Sequence, residues 1–231
     1  KSSLKDENEM TPKSNFLQKH SLILVVYSLV FVLITVGSIY SERFLTLRNL
    51  TNVLRQAAYL GTAALGEMLV ILTAGIDLSI GSLVKLSVLV SAILMDGNPD
   101  NVMMAVGLTL ALGLGVGLLH AFLINELNLS PFVVTFASLF ILQGISLTIT
   151  TKPIGRSSKD FLLLYSQKFL EVPIIVYFFG LVTLLVAFLL NMTVFGKHVY
   201  AVGGNLTVAE LSGIPVKKIR YGDYGICSLL A

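Results

Sequence analysis

The chain has 231 residues, of which 55% are hydrophobic and 13% charged, with a formal net charge of +3. An ordinary soluble domain carries about 25% charged residues, so at a mean hydropathy of +0.86 most of this chain has lipid as its solvent, which excludes a disordered chain and argues against a soluble enzyme. A pI of 9.0 without clustered basic residues gives no footprint for nucleic acid, and the single Cys227 supports neither an internal disulfide nor a cysteine metal site.

A bilayer core about 30 Å thick takes roughly 20 apolar residues at 1.5 Å each, and six segments approach that length. Residues 1–20 form a polar tail expected in the cytoplasm, without the apolar core and cleavage site of a secretory signal; residues 21–231 form the transmembrane domain. Ser21–Tyr40 is the first predicted span, uncharged throughout. Residues 41–56 carry Arg43, Arg48 and Arg55 among leucines, with Leu47, Leu50 and Leu54 on one helical face, which predicts an amphipathic helix at the membrane interface. The second span is 57–74, interrupted by Glu67; the third, 83–95, is short and contains Lys85. The fourth is 102–124, the fifth 131–150 and the sixth 172–191, and residues 221–231 read as the opening of a seventh, so the chain is expected to lack its last helices. The fold class is therefore an all-α, polytopic transmembrane bundle.

Ionisable groups inside spans are costly and face protein or water. Glu67 reads either as an interhelical hydrogen-bonding partner or as a pathway residue, Lys85 either as a residue that snorkels or as a partner of Glu67 or Asp77, and His120 as a partner for the end of the fourth helix. None has metal-site spacing. Between the second and third spans, Gly75-Ile76-Asp77-Leu78-Ser79-Ile80-Gly81-Ser82 predicts a helix break. Gly75 suits the C′ position of one helix, and Asp77 or Ser79 suits the N-cap of the next. The break reads either as a plain turn or as irregular backbone lining a cavity. Gly113 and Gly117 form a GxxxG pair for close helix packing, and no phosphate-binding loop occurs, so ATP is not bound by such a loop here.

The polar stretch 192–220 contains Thr207-Val208-Ala209-Glu210, a capping-box pattern, followed by Gly213 at a C′ position and Pro215. The predicted helix has about one and a half turns, too short to persist in water without packing. Val208 and Leu211 share one face, presented to a partner protein or to the rest of the chain. Counting Lys and Arg on the two sides of a six-span topology gives eight against seven, or eight against four if the arginine-bearing helix lies in the headgroups; the second count places the N-terminus inside.

The strings Asn52-Val53-Leu54-Arg55-Gln56, Gly75 to Ser82, Pro131-Phe132-Val133-Val134-Thr135, Phe195-Gly196-Lys197-His198-Val199-Tyr200-Ala201-Val202-Gly203-Gly204-Asn205 and Leu211-Ser212-Gly213-Ile214 together resemble the permease subunit of ABC-type monosaccharide importers, in the branched-chain-amino-acid/ribose permease family. The resemblance runs from about residue 49 to residue 231. It implies a non-enzymatic inner-membrane subunit with a cytoplasmic N-terminus, paired with a second permease copy. Two cytoplasmic ATP-binding subunits would drive it, and a periplasmic or extracellular sugar-binding protein would supply a ribose-like sugar, moved by alternating access. No cofactor is expected. Under this resemblance Asn205, Thr207, Glu210, Leu211 and Gly213 form the coupling helix for the ATPase. The helix break is held by Gly75, Asp77, Gly81 and Ser82, and Asn52, Gln56, Ser79, Thr135, Ser138 and Gln143 are the expected uncharged pathway contacts. An ion-coupled secondary transporter using Glu67 or Asp77 as a proton relay, and an ABC permease for a nucleoside or signalling furanose, are the alternatives.

Overall fold

A computed structural model describes residues 21–151 and 154–231; the predicted cytoplasmic tail, 1–20, lies outside the described residues. The described residues divide into two compact units, with the boundary between Leu50 and Thr51. In the first, helix α1 (Ser21–Tyr40) is apolar on every side, with large exposed residues throughout. Three of its hydroxyls bond within the helix: Ser28, Thr35 and Ser38 donate to the carbonyls of Val25, Phe31 and Ile34 at 2.7–2.8 Å. A hydroxyl with no water to bond to needs such a partner.

Helix α2 (Leu47–Leu72) runs without interruption. The separate interfacial helix expected over 41–56 is thus corrected to a turn at 41–46 followed by the first turns of α2. Neither proline nor glycine occurs between Leu47 and Leu60, so nothing in that stretch terminates the hydrogen-bond ladder. Arg55 lies at the start of the second unit with its guanidinium 5.5 Å from the centre of the Tyr165 ring, and the hydroxyls of Tyr59 and Tyr165 are bonded.

The remaining elements are α3 (Ile80–Met95), a 3-10 turn (Pro99–Asn101), α4 (Val102–Asn125), α5 (Pro131–Ile149), α6 (Lys159–Ser166), α7 (Ile174–Met192), α8 (Val194–Gly204), α9 (Leu206–Leu211) and α10 (Val216–Leu230). A two-residue hairpin, β1 (Lys168–Phe169) with β2 (Val172–Pro173), joins α6 to α7 in antiparallel register. Each of the six predicted spans corresponds to a helix, and so does the opening of the seventh. Among the described residues, four helical segments are long and apolar enough to cross a membrane by length and composition: Ile23–Tyr40, Pro99–Asn125, Pro131–Ile149 and Ile174–Met192. Helix α3, at 16 residues, is about 24 Å long. The second unit is an all-helical bundle of the polytopic membrane type.

Helices α4 and α10 make the most extensive contact in the bundle. The GxxxG pair explains it: a Cβ on Gly113 would lie 2.6 Å from the carbonyl oxygen of Ser228, and one on Gly117 would collide with the Tyr224 carbonyl and the Ser228 side chain. Only glycine allows the two backbones to come this close. A second cluster, Leu69, Val182, Val186, Leu190, Val199, Val202, Ala209, Val216 and Ile219, buries α8 and α9 against α2, α7 and α10. One end of this unit therefore gathers residues 126–130 and 193–217, where Lys217 Nζ meets Glu126 Oε2 at 2.7 Å and Asn125 Nδ2 donates to the Lys217 carbonyl at 3.2 Å. At the opposite end the chain after α5 returns to α3, Gly97 N donating to the Arg156 carbonyl at 2.7 Å and Arg156 N to the Ala92 carbonyl at 3.1 Å.

Candidate functional site

The break between α2 and α3 is the most polar part of the bundle interior. Helix α2 ends in a Schellman motif: Gly75 N donates to the Val70 carbonyl at 2.9 Å and Ala74 N to the Ile71 carbonyl at 2.9 Å. The left-handed residue is Ala74, at φ 57, which corrects the expectation that Gly75 occupies C′. Glycine is required at position 75 for a different reason. A Cβ there would lie 2.9 Å from both the Tyr224 hydroxyl and Val70 Cγ1, so the glycine makes room for α10. Placing an alanine in the left-handed region costs about 1–2 kcal/mol, a strain that the surrounding packing holds.

Asp77 organises the next three residues. Its Oδ1 accepts from Ser79 N at 2.8 Å and from Ser79 Oγ at 2.6 Å, and Ser82 Oγ donates to the Ser79 carbonyl at 2.8 Å. Ser79 occupies the N-cap position of α3, but its hydroxyl donates backward to Asp77 instead of accepting a helix N–H. Of the two predicted caps, Asp77 thus accepts a backbone N–H and Ser79 does not. The Asp77 backbone N donates to Glu67 Oε1 at 3.2 Å, so Glu67 ties the last turns of α2 to the break that follows it.

Three further helices close on this segment. Asp77 Oδ2 is 3.5 Å from His120 Nδ1 on α4, with both side chains fully buried. That is a close polar approach, longer than a typical hydrogen bond. The other ring nitrogen, Nε2, is 2.8 Å from Ser138 Oγ on α5. A proton on Nδ1 lets the ring face Asp77 with a donor and accept from Ser138 at Nε2. The Ile76 carbonyl accepts from Thr135 Oγ1 at 3.3 Å and from the Tyr224 hydroxyl at 3.4 Å, and the Tyr224 ring meets the edge of His120 with centroids 6.3 Å apart. Residues of α2, α5 and α10 therefore bond the backbone of one turn, and α4 faces its Asp77 side chain. His120, expected to serve the end of its own helix, reaches across to Asp77.

The predicted pathway residues separate into two sets. Ser79 and Thr135 are fully buried, and with the half-buried Ser138 they belong to this network. Asn52, Gln56 and Gln143 are exposed on the single chain, away from it. Of the predicted break residues, Asp77, Gly75 and Ser82 take part as described, whereas Gly81 faces open space. Lys85 pairs with neither Glu67 nor Asp77; it lines a groove between α3 and α5. Two residues of this region were not singled out from the sequence. Tyr224 caps the break, and Asp223, fully buried beside Thr73 and Arg220, was signalled only by a lone acid within an apolar run.

The break is also adjacent to the surface segment. Gly203 of α8 packs so closely on α2 that a Cβ there would strike the Leu72 carbonyl. Helix α9 then starts at Asn205, whose Oδ1 accepts from Val208 N at 3.1 Å. The predicted capping box is corrected accordingly: Thr207 is the second residue of the helix and not its cap, because Asn205 lies closer to the N-terminal end and its carboxamide takes the free N–H. Gly213, at φ 79, stands at C′, with its N donating to the Glu210 carbonyl at 3.0 Å and Ile214 N to the Ala209 carbonyl at 3.0 Å. Ala209 faces the core at 3% exposure, while Val208 and Leu211 are 58% and 84% exposed. A six-residue helix thus turns two apolar side chains outward at one end of the bundle.

The sequence model of the family described as the branched-chain amino acid transport system permease component matches residues 49–231. The chain belongs to this family. It is similar to the ribose import permease protein RbsC of Escherichia coli K12, 34% identical over 224 residues, covering 95% of this chain and 68% of that protein. The D-allose transport system permease protein AlsC of the same strain is 32% identical over 89% of this chain and 64% of its own length. RbsC of Bacillus subtilis is 33% identical over 87% of this chain and 63% of its own. No solved structure matches significantly. As a permease of this family the chain is a transport subunit, not an enzyme, and a multi-pass inner-membrane protein that works with an ATPase and a substrate-binding protein.

Proposed function

We propose that this permease imports a monosaccharide of the ribose type, that it pairs with a second permease copy, and that its N-terminal tail and the segment 192–220 face the cytoplasm. The likeness to a ribose import permease along 95% of the chain is the observation that carries the substrate class. Helix α9, with Asn205, Thr207, Glu210, Leu211 and Gly213, is the segment that docks on the ATPase, supported by the outward Val208 and Leu211. An apolar pair on a helix this short is stabilised by being covered. Movement of α9 reaches the helix break through two connections, the close approach of α8 to α2 at Gly203 and the bond from Tyr224 of α10 to the Ile76 carbonyl. ATP-driven rocking of these helices alternates access to the two sides.

Proteoliposomes holding the permease, its ATPase and its sugar-binding protein are expected to accumulate ribose or a related monosaccharide only with ATP. Uptake that depends on a proton gradient and ignores ATP would overturn the reading in favour of an ion-coupled transporter. Leu211→Asp is expected to lower ATPase co-purification at least severalfold while the permease still folds, because the substituted side chain is exposed; undiminished co-purification removes α9 from the interface.

A further inference from the structure

Asp223 of α10 is an ionisable residue that the network around the break does not use. Its side chain is fully buried, and neither carboxylate oxygen has a hydrogen-bond partner among the described residues. Two polar residues stand beside it, Thr73 and Arg220, and neither satisfies it. The Thr73 hydroxyl donates to the Val70 carbonyl at 3.0 Å, and Arg220, one turn earlier on α10, takes part in none of the three ion pairs among the described residues. Thr73 is also the first residue beyond α2, so Asp223 faces the carbonyl end of that helix, where the macrodipole is negative. In either protonation state Asp223 is dehydrated here without the bonds that offset dehydration.

The helix that packs at this position leads directly to α9. A Cβ on Gly203, near the end of α8, would strike the Leu72 carbonyl and stand 3.8 Å from Thr73 Cα, so α8 ends on the residue that Asp223 faces. Next to Asp223 in sequence, Gly222 meets the Phe195 ring from the start of α8, where a Cβ would lie 2.6 Å away. Helix α8 thus touches both α2 and α10, and Asn205 alone joins it to α9. Neither glycine contact is a hydrogen bond, so parting the surfaces there strands no polar group, while Asp223 gains water.

We propose that Asp223 is a latch at the α9 end of the bundle, dry while α8 rests on the end of α2 and hydrated when the ATPase draws α8 and α9 away together. Hydration of the carboxylate then offsets the packing lost at Gly203 and Gly222. That keeps the two arrangements close in free energy, as alternating access requires. The proposal rests on the docking of α9 on the ATPase argued above and deepens it by naming the group whose surroundings change.

The test places a thiol at the same position, Asp223→Cys in a Cys227→Ala background, since Cys227 is the only native cysteine. The transporter is assembled with its ATPase and sugar-binding protein in lipid nanodiscs, so that both faces meet the reagent. A membrane-impermeant methanethiosulfonate (ethylsulfonate) is applied without nucleotide, with ATP, and with ATP and vanadate. The labelling rate is expected to differ about tenfold or more between the slowest and fastest of these states, as a shift from a mostly dry to a mostly wet population implies. Thr73→Cys, on the facing wall and 2% exposed, is expected to follow the same order, and it replaces the first variant if that one does not fold. A thiol unreactive in every state shows that the site never opens, and one equally reactive in every state shows that water already stands at Asp223; either overturns the latch. Asp223→Asn keeps the shape and gains less from water than a carboxylate does. It is expected to lower ATP-driven uptake severalfold with ATPase co-purification and melting temperature undiminished. Unchanged uptake refutes the latch, and a lowered melting temperature assigns Asp223 to support of the fold instead. Wild-type ATP-driven uptake reports on the permease reading by itself, so normal uptake with state-independent labelling refutes only the present proposal.

Discussion

Gly113→Ala gives a direct measure of how tightly α4 and α10 pack. The new Cβ would lie 2.6 Å from the Ser228 carbonyl oxygen, against 3.4 Å for ordinary contact, so α10 must retreat by about 0.8 Å or α4 must rotate. The obstructing atom is backbone, which has no rotamer to change. Overpacking of this kind costs about 1–3 kcal/mol, a factor of roughly 5 to 150 in the folded-to-unfolded ratio at RT of about 0.59 kcal/mol. Gly107→Ala and Gly115→Ala are internal controls on the same helix, because nothing lies within 4 Å of either added Cβ. They are expected to be neutral or to gain up to about 1 kcal/mol from helix propensity. Thermal unfolding of the purified permease in one detergent, followed by the loss of monodisperse protein, separates the two classes. If Gly113→Ala is as stable as wild type, or if Gly107→Ala and Gly115→Ala cost as much, the close approach of α4 and α10 is refuted.

Asp77→Ala removes the acceptor of two buried bonds from Ser79, each worth about 1–3 kcal/mol when its donor is left unsatisfied; the melting temperature of the same preparation is expected to fall markedly, with Asp77→Asn, which retains one carbonyl acceptor, falling less. The ion pair between Lys217 and Glu126 is partly exposed and contributes about 0.2–1 kcal/mol. Lys217→Glu should therefore lower ATP-driven uptake modestly at unchanged expression, and the added Glu126→Lys should restore it; a double variant no better than the single one shows that the contact carries nothing.

The helices of the six spans were legible because lipid leaves a simple signature, length and apolarity; α6 (Lys159–Ser166), short and charged at its start, carries no such signature. The interfacial helix at 41–56 was misplaced because amphipathicity reports which face is apolar and not where a helix stops, and no breaker separates Arg48 and Arg55 from the run that follows. The capping error at Thr207 has a similar origin. Two overlapping patterns, Asn205 and the Thr207–Glu210 box, lay within two residues of each other, and the Asn205 carboxamide is the one that accepts a free N–H, from Val208. Gly75 was recognised as essential but for the wrong reason, since a close approach to Tyr224, 149 residues further along the sequence, leaves no local pattern.

By itself the sequence determined that the chain is a helical membrane protein, that a break occupies Gly75 to Ser82, and that a short capped helix stands outside the spans, because each follows from the solvent or from hydrogen bonds between near neighbours. Only the tertiary structure decided that Asp77 faces His120, that Tyr224 and Thr135 share the Ile76 carbonyl, and that Lys85 stands apart from all of them. Those are contacts between helices, set by which faces pack together, and a helix that is apolar all round carries no record of its neighbours.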